Sequence, residues 1–410
     1  MIGPNGRHLA ARLPRLLRRN HLDLPGLTDE ERAFAGDMQA WLAALIDRSG
    51  GALPFDRYME AVLYAPGRGY YVNGRRKFGE GGDFVTAPEV SPLFSRCLAA
   101  QVGECLQRLG GADVIEFGAG SGRMAADMLL ELERLECLPA RYRIMEVSPS
   151  LRALQRETLD RVAPHLVDRV EWLEQLPSQP VRAVVVANEL LDAMPVHRFR
   201  RHAGAWQELH VGQREGVPVD RWLPLASAGL ADALARIFPD ESAVPDGYTS
   251  EVNLRLHPWI EALSASLDAA YLLLIDYGYT RQEYYHAERS SGTLICHFRH
   301  RAHADPYLLP GLQDLTANVD FTAVAEAGLA AGFALCGYTS QAHFLIGNGL
   351  ESLLAESDPN DVRTHLTLMQ GVKKLTLPSE MGERFKVVGL ARGCEPRLQG
   401  FALRDLRDRL

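Results

Sequence analysis

The sequence predicts an α/β fold in which a parallel sheet carries crossover helices, and three observations predict it. From Asp113 onward, short apolar runs alternate with helical patterns, the rhythm that βαβ units produce. The run Val114-Ile115-Glu116-Phe117 leads straight into Gly118-Ala119-Gly120-Ser121-Gly122, and an amphipathic stretch from Met124 to Leu135 follows. That is a strand, a tight glycine turn and a helix. A second apolar run, Tyr142-Arg143-Ile144-Met145, ends in Glu146, so a carboxylate stands at the carboxyl end of the next strand.

Taken in chain order, the first segment carries Arg7, Arg12, Arg15, Arg18 and Arg19 with no acid before Asp23. It reads as a flexible basic extension or as a mitochondrial presequence. Thr28 to Arg48 reads as a helix: Thr28 caps it, Glu31 completes a capping box, and Phe34, Met38, Trp41, Leu42 and Leu45 line one face. A second helix is expected over Phe55 to Leu63, then a Gly- and Pro-punctuated stretch from Pro66 to Pro92. Strands are expected at 113–117, 142–147, 169–173, 182–188 and 271–277. Between the last two lies a segment longer than a simple crossover needs, with a hairpin at Trp206 to Leu209 and Val217 to Leu223. A helix near Thr322 to Ala330 and late strands near 334–346 and 385–391 close the sheet. The expected organisation is thus a basic extension (1–27), a helical region with a glycine-rich lid (28–110), a core (111–393) holding an inserted subdomain (200–270), and a tail (394–410).

With 47% hydrophobic and 23% charged residues, the 410-residue chain has the composition of a folded globular protein. A formal charge of −8 disfavours nucleic acid as the main partner, because a phosphate-tracking surface needs a basic excess. No apolar run approaches the roughly 18 residues that span a bilayer, so no integral membrane association is expected. The six cysteines show no CxxC pair and read as reduced thiols, which suits the cytoplasm. His297, His300 and His303 lack a carboxylate at zinc-site spacing, so no metal is expected.

The glycine turn is the core of a predicted cofactor site. Gly118, Gly120 and Gly122 permit positive φ and remove Cβ atoms, letting a ligand lie on bare backbone, with Ala119 between them, beside a helix N-terminus. The spacing is GxGxG; Arg123 stands where a dinucleotide fingerprint needs its third glycine. Glu146 can accept from both ribose hydroxyls, Trp172 at the end of the third strand can wall the adenine, and Glu116 lies near the amino-acid end of the cofactor or holds the turn. The fourth strand ends in Asn188-Glu189-Leu190-Leu191-Asp192-Ala193-Met194-Pro195-Val196-His197. Glu189 and Asp192 suit a guanidinium, whose planar fork matches carboxylates, although Asp192 could instead cap a following helix.

The chain resembles the MidA family of class I methyltransferases. The resemblance rests on Pro66-Gly67-Arg68-Gly69-Tyr70-Tyr71, Gly82-Asp83-Phe84-Val85-Thr86-Ala87-Pro88-Glu89, the turn at 116–122, the loop at 188–196, Asp314 to Phe321, and Met381-Gly382-Glu383-Arg384-Phe385-Lys386. It spans about residues 28 to 393. It implies a Rossmann-like, seven-stranded sheet with helices on both faces, an N-terminal helical extension and an insertion between the fourth and fifth strands. It further implies S-adenosylmethionine as donor and methylation of a protein arginine, to the symmetric dimethyl form by analogy with the mitochondrial member. On this resemblance Asp83 and Thr86, with Glu89, lie in a lid over the cofactor, or in a rigid loop. Asp276 and Asp320 stand as secondary candidates.

Methyl transfer is an in-line displacement, so the loop at 188–192 must aim a nucleophile. It lacks the Asn/Asp-Pro-Pro-aromatic run of amino-directed nucleic-acid enzymes, and none of the cysteines follows a proline. The expected catalytic set is Glu189, Asp192 and Asn188, the last being a departure from the histidine of the mitochondrial relatives. Two alternatives remain open: a small-molecule methyltransferase, and an assembly or regulatory factor that binds S-adenosylmethionine without turnover. A homo-oligomer is compatible with the sequence, and the mitochondrial matrix is the alternative compartment.

Overall fold

A computed structural model describes residues 24–75, 85–358 and 360–410. Two compact units share the chain discontinuously. One contains 85–192, 256–284 and 318–410; the other joins 24–75 with 193–255 and 285–317.

The first unit is built on a sheet of seven consecutively paired strands, β1 (Asp113–Phe117), β2 (Tyr142–Met145), β3 (Val170–Leu173), β4 (Val181–Asn188), β5 (Leu267–Tyr279), β6 (Ala334–Ser340) and β7 (Phe385–Arg392), in the order β3-β2-β1-β4-β5-β7-β6. A two-residue strand at Val319–Asp320 adds to β5. β7 runs antiparallel to both of its neighbours, while β1 to β5 pair in parallel. Its helices include α1 (Pro92–Leu109), α2 (Arg123–Arg134), α3 (Pro149–Val162), α4 (Leu256–Ala265) and α5 (Phe321–Ala330).

Central strands here read as unbroken apolar runs because both faces are covered. Val184 and Val186 of β4 and Tyr271, Leu273 and Ile275 of β5 share one core with Leu93, Phe94, Leu98 and Val102 of α1 and Met128 and Leu129 of α2. The alternate residues Val185, Leu272 and Leu274 are equally buried and point to the other face. There Gly328 of α5 meets Leu390, whose side chain would lie 2.8 Å from an added Cβ. α1 starts on a Ser91 side-chain cap with Pro92 in its first turn and stops at Gly110, φ 65°.

The second unit contains the helix Asp29–Arg48, whose Thr28 and Glu31 form the expected capping box. It also holds the helix Phe55–Tyr64 and an antiparallel sheet in which the 205–214 and 217–224 strands make the predicted hairpin. A three-stranded sheet spans 295–298, 301–303 and 314–316.

The boundaries differ from the sequence expectation in three places. α1 belongs with the sheet rather than with the N-terminal helices, because nine of its residues bury in the core that the strands share. The inserted segment of the β4–β5 crossover runs from 193 to 255 and shares its unit with the N-terminal helices; the chain then returns through α4. Finally, 394–410 is no free tail: Leu398 and Phe401 bury in the main core.

Candidate functional site

The carboxyl ends of β1, β2, β3 and β4 converge as a parallel sheet requires. At the β1–α2 turn, Gly118, Gly120 and Gly122 have φ of 70°, 52° and 80°, so all three need the freedom only glycine has without strain. Gly122 has a second reason. A Cβ there would come 2.9 Å from Gln155 Cα, so its bare face lets the α2 start approach α3; the sequence reading had assigned that space to a ligand. Ala119 is buried. Ser121 donates through Oγ to Glu89 Oε1, tying the turn to the segment that begins at Thr86. Thr86 precedes the short helix Ala87–Val90 and makes no side-chain cap bond. Asp83 lies outside the described residues.

Glu146 is nearly buried just past β2. Its Oε1 accepts from Ser148 N at 2.8 Å and its Oε2 from Gln155 Nε2 at 3.1 Å. Burial pushes its carboxyl up, and those two bonds oppose the shift. Trp172 lies on β3 with its indole N–H donated to Gln155 Oε1 at 2.9 Å. Glu116 is fully buried; Tyr142 donates to its Oε2 at 2.6 Å. Burial raises its carboxyl to about 7, against the pull of Tyr142. Its Oε1 finds no hydrogen-bond partner among the described residues. A cradle of bare backbone, a carboxylate with lone pairs to spare and an orphaned buried oxygen fit an adenosyl amino acid.

Past β4 the loop is pinned by β5. Glu189 N donates to Ile275 O at 2.9 Å, and the buried Asp276 takes the N–H groups of Leu191 and Asp192 on Oδ2 at 2.9 and 3.2 Å. Glu189 sits at φ 52°, an uncommon conformation for a residue with a Cβ. Its Oε1 accepts from Asn188 Nδ2 at 3.1 Å and from Ala87 N at 3.4 Å. Burial first, and the Asp192 charge second, raise its carboxyl to about 8. Asn188 Oδ1 has no partner among the described residues. Asp192 caps no helix: residues 191–194 turn directly into the strand His197–His202. The structure thus brings Asn188, Glu189 and Asp192 together with Asp276, and separately joins Glu146, Trp172 and the glycine turn through Gln155.

Asp320 is taken up elsewhere. It caps α5 through Ala323 N at 3.1 Å and pairs with Arg281 at 3.4 Å. Gly278 meets the Val319 backbone, 2.2 Å from an added Cβ, which accounts for the glycine in the Asp276-Tyr277-Gly278 run. Among the described residues no group of three or more His, Cys, Asp or Glu could hold a metal.

A doubly wound sheet with one antiparallel strand, a GxGxG turn and a carboxylate ending the second strand together define the class of S-adenosylmethionine-dependent methyltransferases, and comparison with known proteins agrees. The chain belongs to the family described as "Putative S-adenosyl-L-methionine-dependent methyltransferase", whose family model matches residues 97–339. A Drosophila melanogaster protein named as a mitochondrial protein arginine methyltransferase NDUFAF7 homolog is 30% identical, covering 90% of this chain and 88% of that protein. The Homo sapiens protein arginine methyltransferase NDUFAF7 is 28% identical over 86% of this chain and 82% of its own length. A Burkholderia thailandensis crystal structure bound to S-adenosyl-homocysteine is 45% identical with a TM-score of 0.90, covering 95% of this chain and all of that one. The protein is therefore an S-adenosylmethionine-dependent methyltransferase, and the resemblance to the MidA family holds.

Proposed function

We propose that the protein methylates an arginine side chain of a protein substrate, using S-adenosylmethionine held at the carboxyl ends of β1 to β3. The observation that carries this reading is the buried pair Glu189 and Asp192 in the loop after β4, backed by Asp276. A guanidinium offers paired N–H donors that match these carboxylates, and its charge favours the ionised form that burial alone disfavours. The relatives named as arginine methyltransferases support the same substrate class.

In this reading Gly118, Ala119 and Gly120 lie along the methionine part of the donor, with Thr86 flanking it and Gly122 shaping the turn. Glu116 faces its amino end, Glu146 takes the ribose hydroxyls, and Trp172 walls the adenine. The donor supplies an electrophilic methyl group on sulfur. Glu189, held by Asn188 and the Ala87 amide, grips one side of the guanidinium and leaves another nitrogen free to attack; Asp192 adds negative charge. Six free cysteines suit a reducing compartment, cytoplasm or mitochondrial matrix. No described helix is long and apolar enough to cross a membrane.

The test is incubation with methyl-labelled S-adenosylmethionine and lysate from a deletion strain, read by mass spectrometry with Glu189→Gln as control. Label on an arginine of one protein, absent in the control, is the expected result. Label confined to small molecules, or none despite measured donor binding, would refute the arginine assignment.

A further inference from the structure

Gln155 of α3 is fully buried and uses both ends of its amide. Its Nε2 donates to Glu146 Oε2 at 3.1 Å and to Gly120 O at 3.2 Å, while its Oε1 accepts the Trp172 indole N–H at 2.9 Å. These three partners come from the ends of β2, β1 and β3. A primary amide is the side chain that offers an acceptor and two donors at this length. The close approach of Gly122 to the Gln155 backbone fixes where the amide emerges.

We propose that Gln155 is the positioning residue of the adenosyl site, holding the Glu146 carboxylate and the Trp172 indole in the orientation that receives ribose and adenine. The inference rests on the reading of Glu146 as the ribose ligand. With Ser148 N on one oxygen and Gln155 on the other, each carboxylate oxygen keeps a lone pair for a ribose hydroxyl. The other charged groups nearby are Arg152, whose Nε donates to the Glu146 carbonyl and whose Nη1 reaches Glu174 at 3.2 Å, and Arg156, stacked 5.7 Å from the Trp172 ring.

Gln155→Glu keeps the shape and turns the donors into acceptors. At high pH two carboxylates then face each other where only one can ionise comfortably; at lower pH the shared proton restores a donor to Glu146. Gln155→Met, close in volume, removes the bonds without adding a titrating group.

S-adenosylhomocysteine binding to the full chain, measured by calorimetry between pH 6 and pH 8.5, tests this. Loss of a hydrogen bond to a charged group corresponds to roughly ten- to hundred-fold weaker binding, expected for Gln155→Glu at pH 8 with recovery toward wild type at pH 6. Wild-type affinity should not rise over the same fall in pH. Gln155→Met should be weaker at every pH with no recovery, and it carries the test if the glutamate variant does not fold. Wild-type affinity in both variants, or weakening of Gln155→Glu that ignores pH, would overturn the proposal. Wild-type affinity in Glu146→Gln would instead overturn the ribose reading beneath it.

Discussion

Glu189 is a carboxyl kept protonated to higher pH than in an unfolded chain, and the sign of its linkage follows. Its ionisation point rises from 4.5 to about 8, first through burial and then through Asp192. Its contribution to stability is full below the unfolded value and is lost as pH climbs through about 8. The melting temperature of Glu189→Gln relative to wild type should therefore grow more favourable between pH 5 and pH 9; a difference that stays level would contradict the burial described here. With the proposed role of Glu189 as guanidinium ligand, transfer should rise with pH toward 8 in wild type as its carboxylate forms. A second residue prediction concerns the Tyr142–Glu116 bond. Tyr142→Phe leaves a fully buried carboxyl without its donor, and chemical denaturation should show a loss of about 1–3 kcal/mol. The strand-end positions of Glu146 and Glu189 were legible in the sequence, because Glu146 directly follows an apolar run and Glu189 stands one residue beyond another, after Asn188. Gln155 was not legible, since an amide in mid-helix carries no spacing signal and its partners are set by packing. Asp192 left two readings open; Pro195 shortly after it and the β-rich run that follows favour the observed turn over a helix.

At the level of elements, the glycine turn and the loop after β4 are held by neighbours that the sequence separates widely. Gly278 allows Val319–Asp320 to pair beside β5. Gly278→Ala would press a methyl group into the Val319 carbonyl, so this pairing must shift, and the amides of the Val319–Asp320 strand should lose protection from exchange while α2 keeps its own. Unchanged protection would mean that the strand yields without cost. Most strand positions were read within a few residues because β-branched runs and flanking turn residues mark them; the late strand expected at 334–346 instead ends at Ser340, and Gln341–Gly347 is a helix. The α1 assignment failed for a physical reason: an amphipathic helix declares that it has a buried face, but nothing in its own residues says which sheet receives that face.

For the molecule as a whole, a bound ligand stabilises the folded state by mass action, about 2.7 kcal/mol at a hundred times its dissociation constant. S-adenosylhomocysteine should raise the melting temperature of wild type and leave Gly120→Val unmoved, because a valine at φ 52° both strains the turn and fills the cradle. Deleting 394–410 should expose the pocket of Gly337 and Gly389 that Phe401 fills, with losses on the scale of about 3–5 kcal/mol for the aromatic alone. The sequence marked that segment as a tail, since a short polar end with one phenylalanine gives no sign of the glycines that accommodate it. The split into two units was equally hidden, because the segments of each are brought together by tertiary packing rather than by adjacency in the chain. On the proposed reading the donor lies across Glu146 and the glycine turn with its sulfur facing the loop at 188–192. A crystal structure of the complex with S-adenosylhomocysteine measures this directly. Both ribose hydroxyls on the Glu146 carboxylate and the sulfur directed at Glu189 are expected; a ribose bound elsewhere, or a sulfur turned away from that loop, would refute this placement.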